Sequence, residues 1–65
     1  MKGTIVRVLG DKMFGFIKGE DGQDYFFHQS ALKNLEFNQR LEGISVEFEE
    51  TEGPKGLRAE DVYAE

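Results

Sequence analysis

The sequence predicts an all-β protein, five short strands closed into a small antiparallel barrel. Three observations predict it. Apolar residues recur with a period of two, which marks half-buried strands. Glycine-rich turns interrupt the pattern at short intervals, and no segment carries the longer apolar period of a packed helix. The 65-residue chain has no cysteine, so neither a disulfide nor a thiolate-bound metal holds it together, and a reducing cytoplasm is the expected compartment.

The first strand runs from Thr4 to Leu9, β-branched and apolar, and stops at the Gly10-Asp11 turn. Lys12 to Lys18 resumes as the second strand, and Gly19-Glu20-Asp21-Gly22 ends it with glycines suited to positive φ. Gln23 to Gln29 is the third, built on Tyr25, Phe26 and Phe27. From Ser30 the alternation breaks, and Ser30 itself is the expected cap of a short helical turn. The irregular 30–43 link then carries the chain across one end of the barrel. In the fourth strand Ile44, Val46 and Phe48 face one way and Ser45, Glu47 and Glu49 the other. Gly53-Pro54-Lys55-Gly56 is a turn, and Leu57 to Tyr63 is the last strand, with a less regular alternation. The whole chain, 1–65, reads as a single domain. No apolar run approaches the roughly 18 residues of a membrane span, and no signal-peptide pattern opens the chain.

The net charge of −5 is unevenly spread. Residues 1–35 carry five basic and four acidic side chains, residues 36–65 three and nine. The first half can therefore present a locally positive face, while the acidic Glu47–Glu52 run reads as a solvated strand edge and turn. One alternative for that run is that it repels nucleic acid and steers it to the other side. Nucleophiles and carboxylate pairs with catalytic spacing are missing. A lone histidine without cysteine argues against a zinc site, and Glu20-Asp21-Gly22 has too few ligands for a calcium loop. The expectation is a binding protein, with neither catalysis nor cofactor.

The second and third strands carry the chemistry. Period two places Lys12, Phe14, Phe16 and Lys18 on one face and Met13, Gly15 and Ile17 on the other. Lysines belong in water, so both phenylalanines stand outside. In the next strand Phe26 and His28 share the more polar parity, and Tyr25 and Phe27 point inward. Paired as a hairpin, Phe14, Phe16, Phe26 and His28 become neighbours, rimmed by Lys12 and Lys18. Leaving a phenylalanine exposed forgoes about 1.5–3 kcal/mol of burial, a large sum beside the roughly 5 kcal/mol that holds so small a domain folded. Such a patch marks a binding surface, and rings beside cations suit nucleobases. Two alternatives stay open at this level. The rings are core covered by the 30–43 link, or they form an interface for a peptide or partner domain.

These two stretches resemble the bacterial cold shock protein family, and the resemblance covers nearly the whole chain. Lys12-Met13-Phe14-Gly15-Phe16-Ile17 is similar to the family's first ribonucleoprotein motif. Tyr25-Phe26-Phe27-His28, followed by Ser30-Ala31-Leu32, is similar to its second. Lys2-Gly3, Phe37, the Gly43–Phe48 strand and Glu52-Gly53 also fall in the family's pattern. An RNA-recognition motif shares a similar first motif but needs two packed helices and a longer chain.

The resemblance implies a five-stranded Greek-key OB-fold barrel that binds single-stranded RNA or DNA by base stacking and acts as an RNA chaperone without ATP. It implies stacking by Phe14, Phe16, Phe26, His28 and Phe37, and backbone contacts from Lys12 and Lys55. Pyrimidine-rich strands are the implied preference, and a monomer the expected state, with pairing of exposed strand edges the route to any dimer. The chain departs from the family's pattern in five places. Arg7 and Val8 replace an aromatic pair, Val6 a lysine, Met13 a glycine and Gln29 an aromatic. Arg7 compensates in part, since a guanidinium both stacks on bases and meets phosphate. Binding weaker than a typical member's, over a shorter site, is the resulting expectation.

Overall fold

The computed structural model describes residues 1–54 and 56–65. Its strands are β1 (Lys2–Leu9), β2 (Phe14–Gly19), β3 (Asp24–His28), β4 (Ser45–Gly53) and β5 (Gly56–Ala64). They close into a barrel in the order β1-β2-β3-β5-β4. Four pairings are antiparallel, and the closing one, β3 with β5, is parallel through Phe26 and Arg58. The five-stranded all-β barrel is therefore the architecture of the chain. Among the described residues no helix is long and apolar enough to cross a membrane.

The core follows from alternation, corrected by two bulges. Ile5 and Val8 both point inward although three residues apart, because the β1–β2 register slips between Ile5 and Arg7 and leaves Val6 outside. In β5 the same device acts at Asp61, which takes a left-handed φ of 48° so that Ala59 and Val62 both reach the core. This explains the irregular alternation of the last strand. Ile17, Tyr25, Phe27, Val46 and Phe48 complete the interior, with Ala31 and Leu41 supplied by the link. Gly15 sits where a Cβ would collide with the Arg7 carbonyl oxygen and the Phe27 ring, so the inner face of β2 has no room there for a side chain. The glycine thus relieves crowding on the curved strand.

The second strand begins two residues later than its sequence pattern suggests. Asp11–Met13 form a turn, in which the Lys12 N–H donates to the Leu9 carbonyl at 3.1 Å and Met13 adopts φ 61°. Period two therefore does not reach Lys12 or Met13, and Met13 is 40% exposed instead of inward. Glycine would suit that position better, since L-residues pay a steric penalty in left-handed backbone.

The link is two single 3₁₀ turns, Gln29–Ala31 and Gln39–Leu41, with irregular chain between. Its last part covers the stretch of β1 that β4 does not reach. Ile5 N–H donates to the Ile44 carbonyl (3.0 Å), Gly43 N–H to the Ile5 carbonyl (2.7 Å) and Val8 N–H to Glu42 Oε2 (2.9 Å). These bonds satisfy backbone groups that a gap in the barrel wall would otherwise orphan. Beside the β2–β3 turn the Tyr25 hydroxyl donates to Asp21 Oδ2 at 2.6 Å and lies 3.0 Å from Glu50 Oε2.

Candidate functional site

With the interior filled by Tyr25, Phe27, Ile17 and their neighbours, the alternate residues of β2 and β3 must stand outside. The register pairs Phe14 with His28 and Phe16 with Phe26, which brings the four side chains together. All four are half-buried. Ring centroids lie 5.0 Å apart for Phe14–Phe26, 5.9 Å for Phe14–Phe16 and 6.2 Å for Phe16–Phe26, the last two edge-to-face. The rings are thus neither core nor covered by the link. They line a groove of about 720 Å³ together with Pro54, Gly56, Leu57 and Arg58 from the β4–β5 end.

His28 does a second job. Its Nδ1 accepts the Ser30 N–H at 3.1 Å and lies 3.0 Å from the Ser30 hydroxyl. His28, and not Ser30, therefore caps the 3₁₀ turn, because the imidazole reaches the exposed N–H two residues on. With Nδ1 acting as acceptor, the neutral ring carries its proton on Nε2. The aromatic row is fastened at this end to the start of the link.

Cations flank the rings. Arg7 is in register with Phe16 and fully on the outside, whereas Val8, its neighbour, is buried in the core. The departure from an aromatic pair therefore changes the outer face at one position, Arg7. Lys12 is exposed in the turn beside Phe14, not on the strand face. Lys18, expected on the rim, pairs with Asp24 across the hairpin at 3.7 Å. Among the described residues neither Arg7 nor Lys12 has an ionic partner.

Phe37 stands apart from the groove. It is half-buried against the core, its ring edge-on to Phe27 at 6.4 Å. Lys55 lies outside the described residues. Gln29 is exposed as the first residue of the 3₁₀ turn.

Four groove residues escaped the sequence reading, Pro54, Gly56, Leu57 and Arg58, and the last of them carries charge. Arg58 lies beside Phe26 in the closing β3–β5 pair, its guanidinium carbon 5.6 Å from the ring centroid. A single row thus crosses four strands: Arg7, Phe16, Phe26, Arg58. Period two in the last strand already sets Arg58 opposite Ala59, but nothing local says which strand will lie next to it. Among the described residues no three His, Asp or Glu side chains gather as a metal site.

The profile of the 'Cold-shock' DNA-binding domain matches residues 1–65. The chain is 48% identical over 65 residues to the cold shock-like protein CspE of Buchnera aphidicola, covering 98% of this chain and 94% of the relative. It is 47% identical over 60 residues to the cold shock-like protein CspLB of Listeria monocytogenes, covering 92% and 91%. Cold shock protein 2 of Lactiplantibacillus plantarum is 43% identical over 60 residues, with the same coverage.

Proposed function

We propose that this chain, which belongs to the cold-shock domain family of nucleic-acid-binding, non-enzymatic proteins, captures single-stranded RNA or DNA by stacking bases on its outer aromatic row and acts as an RNA chaperone. The observation that carries the reading is the cluster of Phe14, Phe16, Phe26 and His28, half-exposed over a core that is complete without it. Every base has a π-face, so such a platform is tolerant of sequence, and each stacked base contributes roughly 1–3 kcal/mol. Arg7 and Lys12, unpaired among the described residues, are assigned to phosphates. Lys55 and Phe37 take the same backbone and stacking roles by family resemblance alone. Strands held open on the platform cannot refold into weak hairpins, which is chaperone action by mass action, with no nucleotide hydrolysis. Arginine in place of an aromatic ring at position 7 makes the platform narrower than the family pattern implies.

The test is a fluorescence-anisotropy titration of labelled heptathymidine at two salt concentrations. Saturable binding is expected, weakening with a log–log salt slope of about −2, the sum for three neutralised phosphates at roughly −0.7 each. Phe16→Ala should remove most of it. Folded protein that fails to bind at micromolar concentration would overturn the proposal and turn attention to a protein partner for the same face. An interface shaped to a protein tolerates Phe16→Trp poorly, whereas a stacking site accepts it.

A further inference from the structure

Arg58 differs from the other cations of the face in being held at both ends. Its stem lies over Gly53, where a Cβ would stand 2.7 Å from Arg58 Cδ, so the absence of a side chain there makes the path for the stem. Its guanidinium lies over Phe26. Nε is buried without a hydrogen-bond partner, and Nη2 is 3.6 Å from Oε1 of Glu60, two residues on along the same face of β5. The loose ion pair leaves the planar fork with donors to spare.

We propose that Arg58, positioned by Glu60, reads a guanine at the β5 end of the groove, so that this chain favours a single strand carrying one guanine among pyrimidines. The inference rests on the stacking function proposed above and adds a base preference to it. The guanidinium carbon, 5.6 Å from the Phe26 centroid, stands beside the row on which bases are proposed to stack, which puts its donors near the edge of a neighbouring base. The Glu60 carboxylate beside the fork also repels phosphate, a penalty that neither Arg7 nor Lys12 carries among the described residues. Guanine alone offers both a pair of adjacent acceptors, O6 and N7, for a fork and a pair of adjacent donors, N1–H and N2–H, for a carboxylate. Arginine on O6 and N7 is the commonest specific base contact. Cytosine has an acceptor pair but no donor pair, and thymine and uracil alternate.

The experiment compares heptathymidine with the seven heptamers that carry one guanine in place of one thymine, by anisotropy titration of the full chain. At least one guanine position is expected to bind about ten-fold tighter than heptathymidine. Arg58→Lys keeps the charge but loses the fork, so the ratio between that heptamer and heptathymidine should collapse to near one, whatever happens to either affinity. Glu60→Gln should lower the ratio while strengthening heptathymidine binding. Wild-type affinities within two-fold of one another, with heptathymidine bound, would overturn guanine reading and leave the stacking function intact. A ratio that survives Arg58→Lys would overturn the assignment to Arg58. Absence of binding to any heptamer would overturn both readings together.

Discussion

Strand β3 shows two proteins in five residues. Tyr25 and Phe27 are 1% and 0% exposed and belong to the interior. Phe26 and His28, interleaved with them, lie outside that core and pack on Phe14, Phe16, Arg58 and the link. The chemistry of the side chains is nearly the same on both faces, and only the parity differs. Burial of the inward pair holds the barrel closed. The outward pair forgoes much of that burial, and its rings are left with the neighbouring side chains of the outer face and with whatever binds. Aromatic content alone therefore says little about function in a domain this small; its division between faces says most of it.

The largest effect that would break this division is at Phe27. Removing a fully buried phenylalanine costs about 3–5 kcal/mol, close to the whole stability expected of such a domain. Phe27→Ala should leave the chain largely unfolded at room temperature, as seen by far-ultraviolet circular dichroism and urea titration. Phe26→Ala should instead stay folded, losing about 1 kcal/mol of ring–ring contact, while its affinity for heptathymidine falls ten-fold or more. A Phe26→Ala protein that unfolds as readily as Phe27→Ala would show that the outer rings are structural.

Much of this was legible in the sequence because alternation is a local property. Phe14, Phe16, Phe26 and His28 were placed outside by the lysines and polar residues sharing their parity, and the hairpin turn at Gly19–Gly22 was enough to bring them together. What local pattern could not supply were the irregularities. The bulges at Val6 and Asp61 change parity within a strand, so that Val8 lies in the core although strict alternation from Ile5 would put it outside. Lys12 reads as strand and lies in a turn. Arg58 joins the groove only through the parallel closure of β3 on β5, a contact between segments some thirty residues apart. The His28 cap belongs to the same class, since its side chain satisfies backbone that would otherwise need Ser30.

A smaller effect sharpens the comparison at the edge of the outer face. Met13 holds φ 61° beside Phe14, a conformation costing an L-residue about 1–2 kcal/mol. Met13→Gly relieves it but gives the unfolded chain more freedom, worth about 0.5–1 kcal/mol. A net gain of about 0.5–1 kcal/mol in stability is expected in thermal or urea unfolding, with heptathymidine affinity little changed. A loss of stability would mean that the Met13 side chain packs usefully where it is.

The smallest effect belongs to the one polar tip of the inward face. The Tyr25 hydroxyl bonded to Asp21 holds that carboxyl below its usual 3.8, with the Gln23 N–H adding to it. The same bond, then burial and Glu50, pushes the Tyr25 phenol well above its ordinary 10. A carboxylate whose folded pKa is depressed contributes stability that is complete above 3.8 and is lost as pH falls through the lower folded value. Stability should therefore decline below pH 3.8 partly through Asp21. Other carboxylates titrate in the same range, so the informative quantity is the difference between wild type and Tyr25→Phe. That difference should narrow as acid removes the Asp21 charge that the hydroxyl stabilises. Melting temperatures of the two proteins between pH 6 and pH 2.5 measure it, and parallel curves would show that the Tyr25–Asp21 bond contributes nothing in water. Because neither Tyr25 nor Asp21 lines the groove, any change in heptathymidine binding by Tyr25→Phe at neutral pH would mean that the two faces of β3 are coupled after all.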